Sequence, residues 1–228
     1  MEFDLCVITC RGEGLKHGPM AELKRGHIEV ARAALEGGAR LIQLREKRLE
    51  GRALWGVAQA MRALTHKYGA ALIVNDRVDI ALAVEADGVH LGQEDIPLAV
   101  ARRLLGAKAM IGVSVSSEEE AEAAEKEGAT YVSVGSVFPT ASKPDAGEAI
   151  GADPLRRIKR VVGVPVLAIG GVNCDNVQAV IRAGADGAAV ISAVSEAEDM
   201  VEATRRLRSL IVEARGGQGD QEQFHDSA

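Results

Sequence analysis

The sequence predicts an α/β protein that folds as a single (β/α)8 TIM barrel of parallel strands. Short apolar runs, typical of buried strands, alternate about eight times with longer segments that have helical spacing. Glycine stands between a predicted helix and the next apolar run, as in Glu36-Gly37-Gly38-Ala39 and Ala183-Gly184-Ala185-Asp186-Gly187, where it can end the helix and reverse the chain. Aromatic residues make up only 3% of the chain and hydrophobic residues 47%, which favours a core of Val, Ile, Leu and Ala in a parallel sheet covered by helices.

The predicted elements follow one another without an interior linker. Each strand is a continuous apolar run, as expected for burial on both faces, and the strands comprise residues 5–9, 40–44, 71–74, 88–91, 110–113, 131–134, 166–168 and 187–191. Each helix has apolar residues on one face, and the helices comprise residues 22–36, 52–67, 78–84, 97–105, 117–126, 154–161, 175–183 and 197–214.

This regular recurrence favours a closed barrel over the alternative of an open, doubly wound sheet. We therefore expect one catalytic barrel domain over residues 1–215. Residues 216–228 are rich in Gly, Gln and Asp and lack periodicity, so we expect a disordered C-terminal tail.

Composition narrows the classes of partner. A formal charge of −6 and a pI near 5.5 argue against a general nucleic-acid-binding protein. No apolar run approaches the roughly 20 residues that a membrane-spanning helix needs. Cys6, Cys10 and Cys174 form no CxxC pair, and no secretory leader is recognisable, which together indicate a reduced, cytoplasmic setting with the cysteines as small hydrophobes.

Basic residues follow the second predicted strand. Gln43, Arg45 and Lys47 are two positions apart, so their side chains can point the same way into the mouth of the barrel. Together the two cations suit an anion with several oxygens. The alternative interpretation is a solvated surface pair.

Two carboxylates follow the third and fourth predicted strands. Asp76 and Asp95 could share a divalent cation. Mg²⁺ is typically bound by a small number of carboxylates, and substrate phosphates complete its coordination shell. Helix N-capping before Arg77 and before Pro97 is an equally good explanation for these residues, and both roles can coexist.

The long irregular segment 138–153 contains Thr140, Ser142 and Lys143, and predicts either a ligand-binding loop or a plain surface excursion. Gly170-Gly171 and Ile191-Ser192 follow the last two strands, where many barrels bind phosphate.

His90 lies inside an apolar run, which favours a packed, hydrogen-bonded histidine over a catalytic one. No Ser/His/Asp or Cys/His set occurs at strand ends, so covalent acyl chemistry is not expected.

Taken in order, these segments resemble the thiamine phosphate synthase family, whose members join the pyrimidine and thiazole halves of thiamine. The resemblance extends from residue 5 to about residue 210. It is carried by the following motifs: Gln43-Leu44-Arg45-Glu46-Lys47, Val74-Asn75-Asp76-Arg77, Gly88-Val89-His90-Leu91-Gly92-Gln93-Glu94-Asp95, Gly112-Val113-Ser114, Phe138-Pro139-Thr140 to Lys143, and Ala168-Ile169-Gly170-Gly171.

The resemblance implies a reaction and a set of ligands. The expected substrates are phosphorylated small molecules, a pyrimidine diphosphate and a thiazole phosphate, with Mg²⁺ on Asp76 and Asp95. The residues implied for the pyrimidine diphosphate are Gln43, Leu44, Arg45, Glu46, Lys47, Asn75, Ser114 and Lys143, of which Arg45, Lys47, Ser114 and Lys143 are the implied catalytic groups. Those implied for the thiazole phosphate are Thr140, Ala141, Ser142, Gly171, Ile191 and Ser192.

Two positions depart from the family pattern. Ser142 replaces a usual Thr and keeps the hydroxyl. Ser116 stands where a His is often found, and a related thiazole tautomerase relies on a His there for proton transfer. That tautomerase is the nearest alternative function, and a non-catalytic sensor of a phosphate ligand is a second one. The oligomeric state, and whether the thiazole arrives carboxylated, stay open at this point.

Overall fold

The computed structural model describes residues 3–10, 20–140, 142 and 148–222, with the backbone alone for residues 20–25 and 217–222. Its strands lie where the sequence predicts them: β1 (Leu5–Cys10), β2 (Leu41–Arg45), β3 (Ala71–Asn75), β4 (Gly88–Leu91), β5 (Met110–Val115), β6 (Tyr131–Val134), β7 (Val166–Ile169) and β8 (Gly187–Val190). All neighbouring pairs are parallel, and β8 pairs with β1, so the sheet closes into a barrel in chain order. The predicted (β/α)8 barrel is confirmed.

The helices that separate and follow these strands are α1 (Met20–Glu36), α2 (Gly51–Lys67), α3 (Val78–Ala83), α4 (Leu98–Leu105), α5 (Glu118–Lys126), α6 (Ala152–Val161), α7 (Val177–Arg182), α8 (Ser192–Ser195) and α9 (Met200–Glu222). The short α8 was not predicted. In the part of the chain that the structure describes, no helix is long and apolar enough to cross a membrane.

The last helix differs from its predicted extent. α9 continues beyond residue 216 to Glu222 and so enters the segment that we expected to be a disordered tail. Residues 223–228 lie outside the described residues, and the disorder of the tail stays a prediction.

Successive side chains of each strand alternate between the barrel interior and the core between sheet and helices. In β2, Leu41 belongs to a small apolar cluster inside the barrel, whereas Ile42 and Leu44 pack in the larger core between the sheet and the helices. Since successive side chains of a strand point to opposite faces, Gln43 and Arg45 share the interior face with Leu41. The interior cluster closes the barrel from below and leaves the polar residues at the carboxyl ends of the strands.

Aspartates close the opposite, N-terminal end of the barrel in a repeated arrangement. Asp87 precedes β4, accepts a hydrogen bond from a backbone N–H of β3 and pairs with Arg62 of α2 at 2.9 Å. Asp186 precedes β8, accepts from a backbone N–H of β7 and pairs with Lys159 of α6 at 2.6 Å. Each carboxylate thus accepts a hydrogen bond from a strand N–H and holds a helix against that strand. This function is stabilising and separate from the polar end of the barrel.

The largest interior side chain depends on a glycine. Tyr131 of β6 is 1% exposed, and its ring lies against Gly112 of the neighbouring strand β5. A Cβ atom at Gly112 would overlap the Tyr131 ring and would lie 2.5 Å from His90 Nδ1. Gly112 therefore provides the space that this ring occupies.

We expect Gly112→Ala to lower the free energy of unfolding by about 1–3 kcal/mol, the range for overpacking a close-packed core. Urea unfolding would measure the change. Gly26→Ala is the matched control, because nothing lies within 4 Å of a Cβ at that position in α1 and alanine is the better helix former. A Gly112→Ala variant as stable as the wild type would contradict the packing described for Tyr131.

Candidate active site

A cavity of about 420 Å³ opens at the carboxyl ends of the barrel strands, where the sequence predicted the polar residues to meet. Its lining draws on every strand end from β2 to β8 and on the loops that follow. The residues that line it are Arg45, Lys47, Asn75, Asp76, His90, Gly92, Gln93, Glu94, Asp95, Ser114, Ser133, Gly135, Ser136, Thr140, Ser142, Ile169, Gly170, Gly171, Val172, Ala189, Val190, Ile191 and Ser192.

Two cations from the end of β2 lie on one side of this cavity. Arg45 is 7% exposed and donates a hydrogen bond to Cys10 Sγ at 3.5 Å. Lys47 is more exposed, and its Nζ lies 2.5 Å from Asp76 Oδ2. Arg45 is therefore buried rather than a solvated surface residue, and Lys47, although half exposed, lines the cavity and pairs with Asp76.

Beside Lys47, the two carboxylates at the ends of β3 and β4 meet. Asp76 adopts a left-handed backbone conformation with φ 61°, and Asp95 Oδ2 accepts a hydrogen bond from Gly92 N at 2.7 Å. Burial raises the pKa of Asp76 above its ordinary value; the Lys47 ammonium opposes that rise, and the Asp95 carboxylate, within hydrogen-bonding reach, adds to it.

Neither carboxylate caps a helix. The N-caps of α3 and α4 are Arg77 and Pro97, and neither of these two residues makes a side-chain capping hydrogen bond. This leaves the helix-capping alternative without support, and both aspartates line the cavity instead.

The acidic pair fits Mg²⁺ by the chemistry of its donors. Mg²⁺ is usually held by one or two carboxylates together with waters and substrate phosphates, and Asp76 and Asp95 supply two carboxylates next to a cation-lined cavity. Among the described residues there is no cluster of three or more His, Cys, Asp or Glu side chains that could hold a metal by itself. A metal at this place would therefore depend on ligands from a bound substrate or from water.

A hydrogen-bonded chain of side chains runs from the barrel interior up to the cavity. Gln43, which is 3% exposed, hydrogen-bonds to Tyr131, whose OH lies 3.0 Å from His90 Nδ1. His90 Nε2 lies 2.9 Å from Ser114 Oγ. Burial raises the pKa of Tyr131 well above its ordinary value, so the phenol stays protonated and can donate onward. The chain orients the Ser114 hydroxyl at the cavity surface.

The opposite side of the cavity consists of hydroxyl groups and glycines. Ser142 Oγ donates to Ser192 Oγ at 3.0 Å, and Thr140 Oγ1 accepts from Ser142 N at 3.2 Å. Gly171 has φ 63°, and a Cβ there would lie 2.5 Å from the Pro139 carbonyl oxygen. Glycine thus allows the loop after β7 to approach the loop after β6 closely.

Several predicted site residues do not contribute to the described lining of the cavity. The Leu44 side chain packs in the outer core between sheet and helices. The Glu46 side chain pairs with His27, also away from the cavity. Gln43 lies beneath the cavity rather than in its lining. Ala141 and Lys143 lie outside the described residues, and their predicted roles stay predictions.

Other lining residues were assigned no role from the sequence. Ser133 shares the interior face of β6 with Tyr131, two positions away, and strand alternation could have found it. Gln93 belongs to the motif from Gly88 to Asp95, and its Nε2 donates to the Ser114 backbone oxygen of β5 at 2.6 Å, a contact that no local pattern indicates.

Comparisons with known proteins agree with the motifs. A family model described as thiamine monophosphate synthase matches residues 9–194. The thiamine-phosphate synthase of Moorella thermoacetica is 55% identical over 192 residues, which is 84% of this chain and 91% of that protein. The thiamine-phosphate synthase of Methanocella arvoryzae is 48% identical over 215 residues, 94% of this chain and 98% of that protein.

A solved structure agrees as well. Thiamine phosphate pyrophosphorylase from Pyrococcus furiosus has a TM-score of 0.80 to this chain at 46% sequence identity, and the match covers 93% of this chain and 96% of that one. Since the family model and these relatives span most of the sequence, the chain is a transferase that belongs to the thiamine monophosphate synthase family.

Proposed function

We propose that this protein is a thiamine phosphate synthase that joins 4-amino-2-methyl-5-(diphosphooxymethyl)pyrimidine to 4-methyl-5-(2-phosphooxyethyl)thiazole and releases pyrophosphate. The observation that carries the proposal is the meeting of Arg45, Lys47, Asp76 and Asp95 at one side of a cavity of about 420 Å³. Cations beside a carboxylate pair suit a diphosphate that needs both positive side chains and a metal. Membership of the family supports the same reaction.

In the proposed reaction the bond between the pyrimidine CH₂ and the diphosphate oxygen breaks before the new bond forms. The ring amino group releases electrons to the CH₂ cation, and the thiazole nitrogen then donates its electron pair to that carbon. Arg45 and Lys47 stabilise the negative charge that builds on the departing diphosphate. The Ser114 hydroxyl, oriented by His90, can donate a hydrogen bond to the same group.

Asp76 and Asp95 would hold Mg²⁺, which when bound supplies further positive charge to the leaving diphosphate. The Lys47 ammonium, 2.5 Å from Asp76, keeps this carboxylate oriented toward the cation side of the cavity. Lys143 is proposed to add another positive charge, as the family resemblance implies.

The thiazole phosphate is proposed to bind on the opposite side of the cavity. The hydroxyls of Thr140, Ser142 and Ser192 are already hydrogen-bonded to one another or to the loop backbone, so they form one polar surface. Gly171 and Ile191 would add backbone N–H groups as further donors. Position 171 requires glycine, because a side chain there would collide with the neighbouring loop. These donors suit a phosphate dianion.

The tautomerase alternative finds less support in the geometry. The position at which that enzyme would need a histidine is Ser116, whose N–H and Oγ both bond to Glu120 Oε2, at 2.7 and 2.9 Å. Ser117 caps the same helix by accepting from Glu120 N. Ser116 thus belongs to the start of α5 and lies outside the cavity lining.

The proposed function is tested by incubating the protein with both substrates and Mg²⁺ and measuring pyrophosphate. A synthase releases pyrophosphate only when both substrates are present. Isomerisation of the thiazole alone would instead identify a tautomerase, and binding of the thiazole phosphate without any product would identify a sensor. Repeating the assay with the 2-carboxylated thiazole determines which form is used.

We expect Arg45→Ala to lower kcat by about a hundredfold to a thousandfold, the range for losing one group that stabilises transition-state charge. Steady-state pyrophosphate release would measure the change. Arg52→Ala is the control, because Arg52 is exposed on α2 and lies outside the cavity lining. If Arg45→Ala turned over at the wild-type rate, Arg45 would have no part in the chemical step.

We expect Asp95→Asn to shift the Mg²⁺ concentration for half-maximal activity upward by about tenfold or more, because loss of even an outer-shell partner commonly lowers metal affinity 10–100-fold. Asparagine keeps an oxygen that can accept from Gly92 N, so the loop itself is retained. Asp79→Asn serves as control, since Asp79 is exposed and pairs with Arg77. An unchanged Mg²⁺ titration for Asp95→Asn would argue against Asp95 as a ligand.

A further inference from the structure

We propose that His27 of α1 is a positioning residue that acts through Glu46 to hold Arg45 and Lys47 toward the cavity. His27 does not line the cavity and touches none of its proposed ligands. The inference deepens the proposed function, because it concerns the side of the cavity assigned to the diphosphate.

The residues after β2 alternate between two environments. Arg45 and Lys47 line the cavity, whereas the Glu46 side chain between them is 2% exposed and faces α1. Glu46 Oε2 lies 3.3 Å from His27 Nε2, and Glu46 Oε1 accepts a hydrogen bond from Arg48 N at 2.7 Å. The Glu46 carboxylate thus connects His27 of α1 to the backbone of Arg48, the residue that follows Lys47.

His27 is itself fixed by a second contact. Its side chain is 2% exposed, and its Nδ1 lies 2.9 Å from Thr9 Oγ1 of β1. Because an ionised carboxylate can only accept, Nε2 carries the proton donated to Glu46, and Nδ1 faces the Thr9 hydroxyl. The imidazole therefore bridges β1 and the segment after β2, on the side where Cys10 of β1 pairs with Arg45.

This arrangement explains why Glu46 is placed outward. A carboxylate removed from water is unfavourable unless it is paired and hydrogen-bonded. If His27 were absent, Glu46 would gain by turning toward solvent. Since Glu46 is flanked directly by Arg45 and Lys47, a backbone movement that turned Glu46 toward solvent would also displace both cations from the cavity.

The test uses inorganic pyrophosphate with Mg²⁺ as the probe, measured by calorimetry on the full chain. We expect His27→Ala to weaken pyrophosphate binding by about tenfold or more, because small displacements of positioned groups have effects of this size. In steady state the same variant should raise KM for the pyrimidine diphosphate or lower kcat, while KM for the thiazole phosphate stays unchanged. His27→Gln retains a donor toward Glu46 and should recover most of the affinity.

The matched control is Arg208→Ala. Arg208 donates to Asp4 Oδ2 at 2.8 Å, and the Asp4 side chain is 3% exposed at the opposite end of the barrel. This control also leaves a buried carboxylate without a side-chain donor, so it should lower stability but leave pyrophosphate affinity unchanged. If His27→Ala fails to fold, Glu46→Gln, which keeps the shape and removes the charge, should still weaken pyrophosphate binding.

Pyrophosphate affinity in His27→Ala equal to that of the wild type would overturn the inference and leave the proposed function intact. The inference would also fail if His27→Gln bound pyrophosphate no better than His27→Ala. A wild-type protein that binds no pyrophosphate would overturn the proposed function, and the inference with it.

Discussion

The polar end of this barrel depends on the alternation of side chains along its closed, parallel strands. Because every second residue points inward, the same strand that buries Leu41 in the interior brings Gln43 and then Arg45 to successive levels above it. Closure in chain order then places the ends of β2, β3 and β4 side by side. The cations of one strand end therefore meet the carboxylates of the next two.

Gathering charge in this way carries an electrostatic penalty that the site offsets internally. Two adjacent carboxylates repel each other, and burial disfavours the anion of Asp76. Lys47 compensates part of this at 2.5 Å. A site with this charge distribution suits a ligand that brings phosphate oxygens and a divalent cation together. The cation would neutralise the remaining charge of the carboxylates, and the phosphate oxygens would neutralise the charge of the basic side chains.

Support for the cavity comes from groups on both sides of the sheet. Beneath it, Gln43, Tyr131 and His90 connect to Ser114 in one chain of hydrogen bonds. Outside it, His27 and Glu46 connect α1 to the segment after β2. The cavity side chains are therefore held by buried polar contacts, which are sensitive to the removal of a single partner.

The sequence by itself determined the barrel, the order of its strands and the interior face that Gln43 and Arg45 share, because these follow from local periodicity and strand alternation. The sequence predicted that Asp76 and Asp95 could share a cation, but tertiary structure decided their actual contact, since this depends on the register in which Asn75 of β3 pairs with His90 of β4. It also decided that Glu46 faces away from the cavity, because its partner His27 lies 19 residues earlier in the chain and becomes adjacent only when α1 packs beside the paired strands β1 and β2.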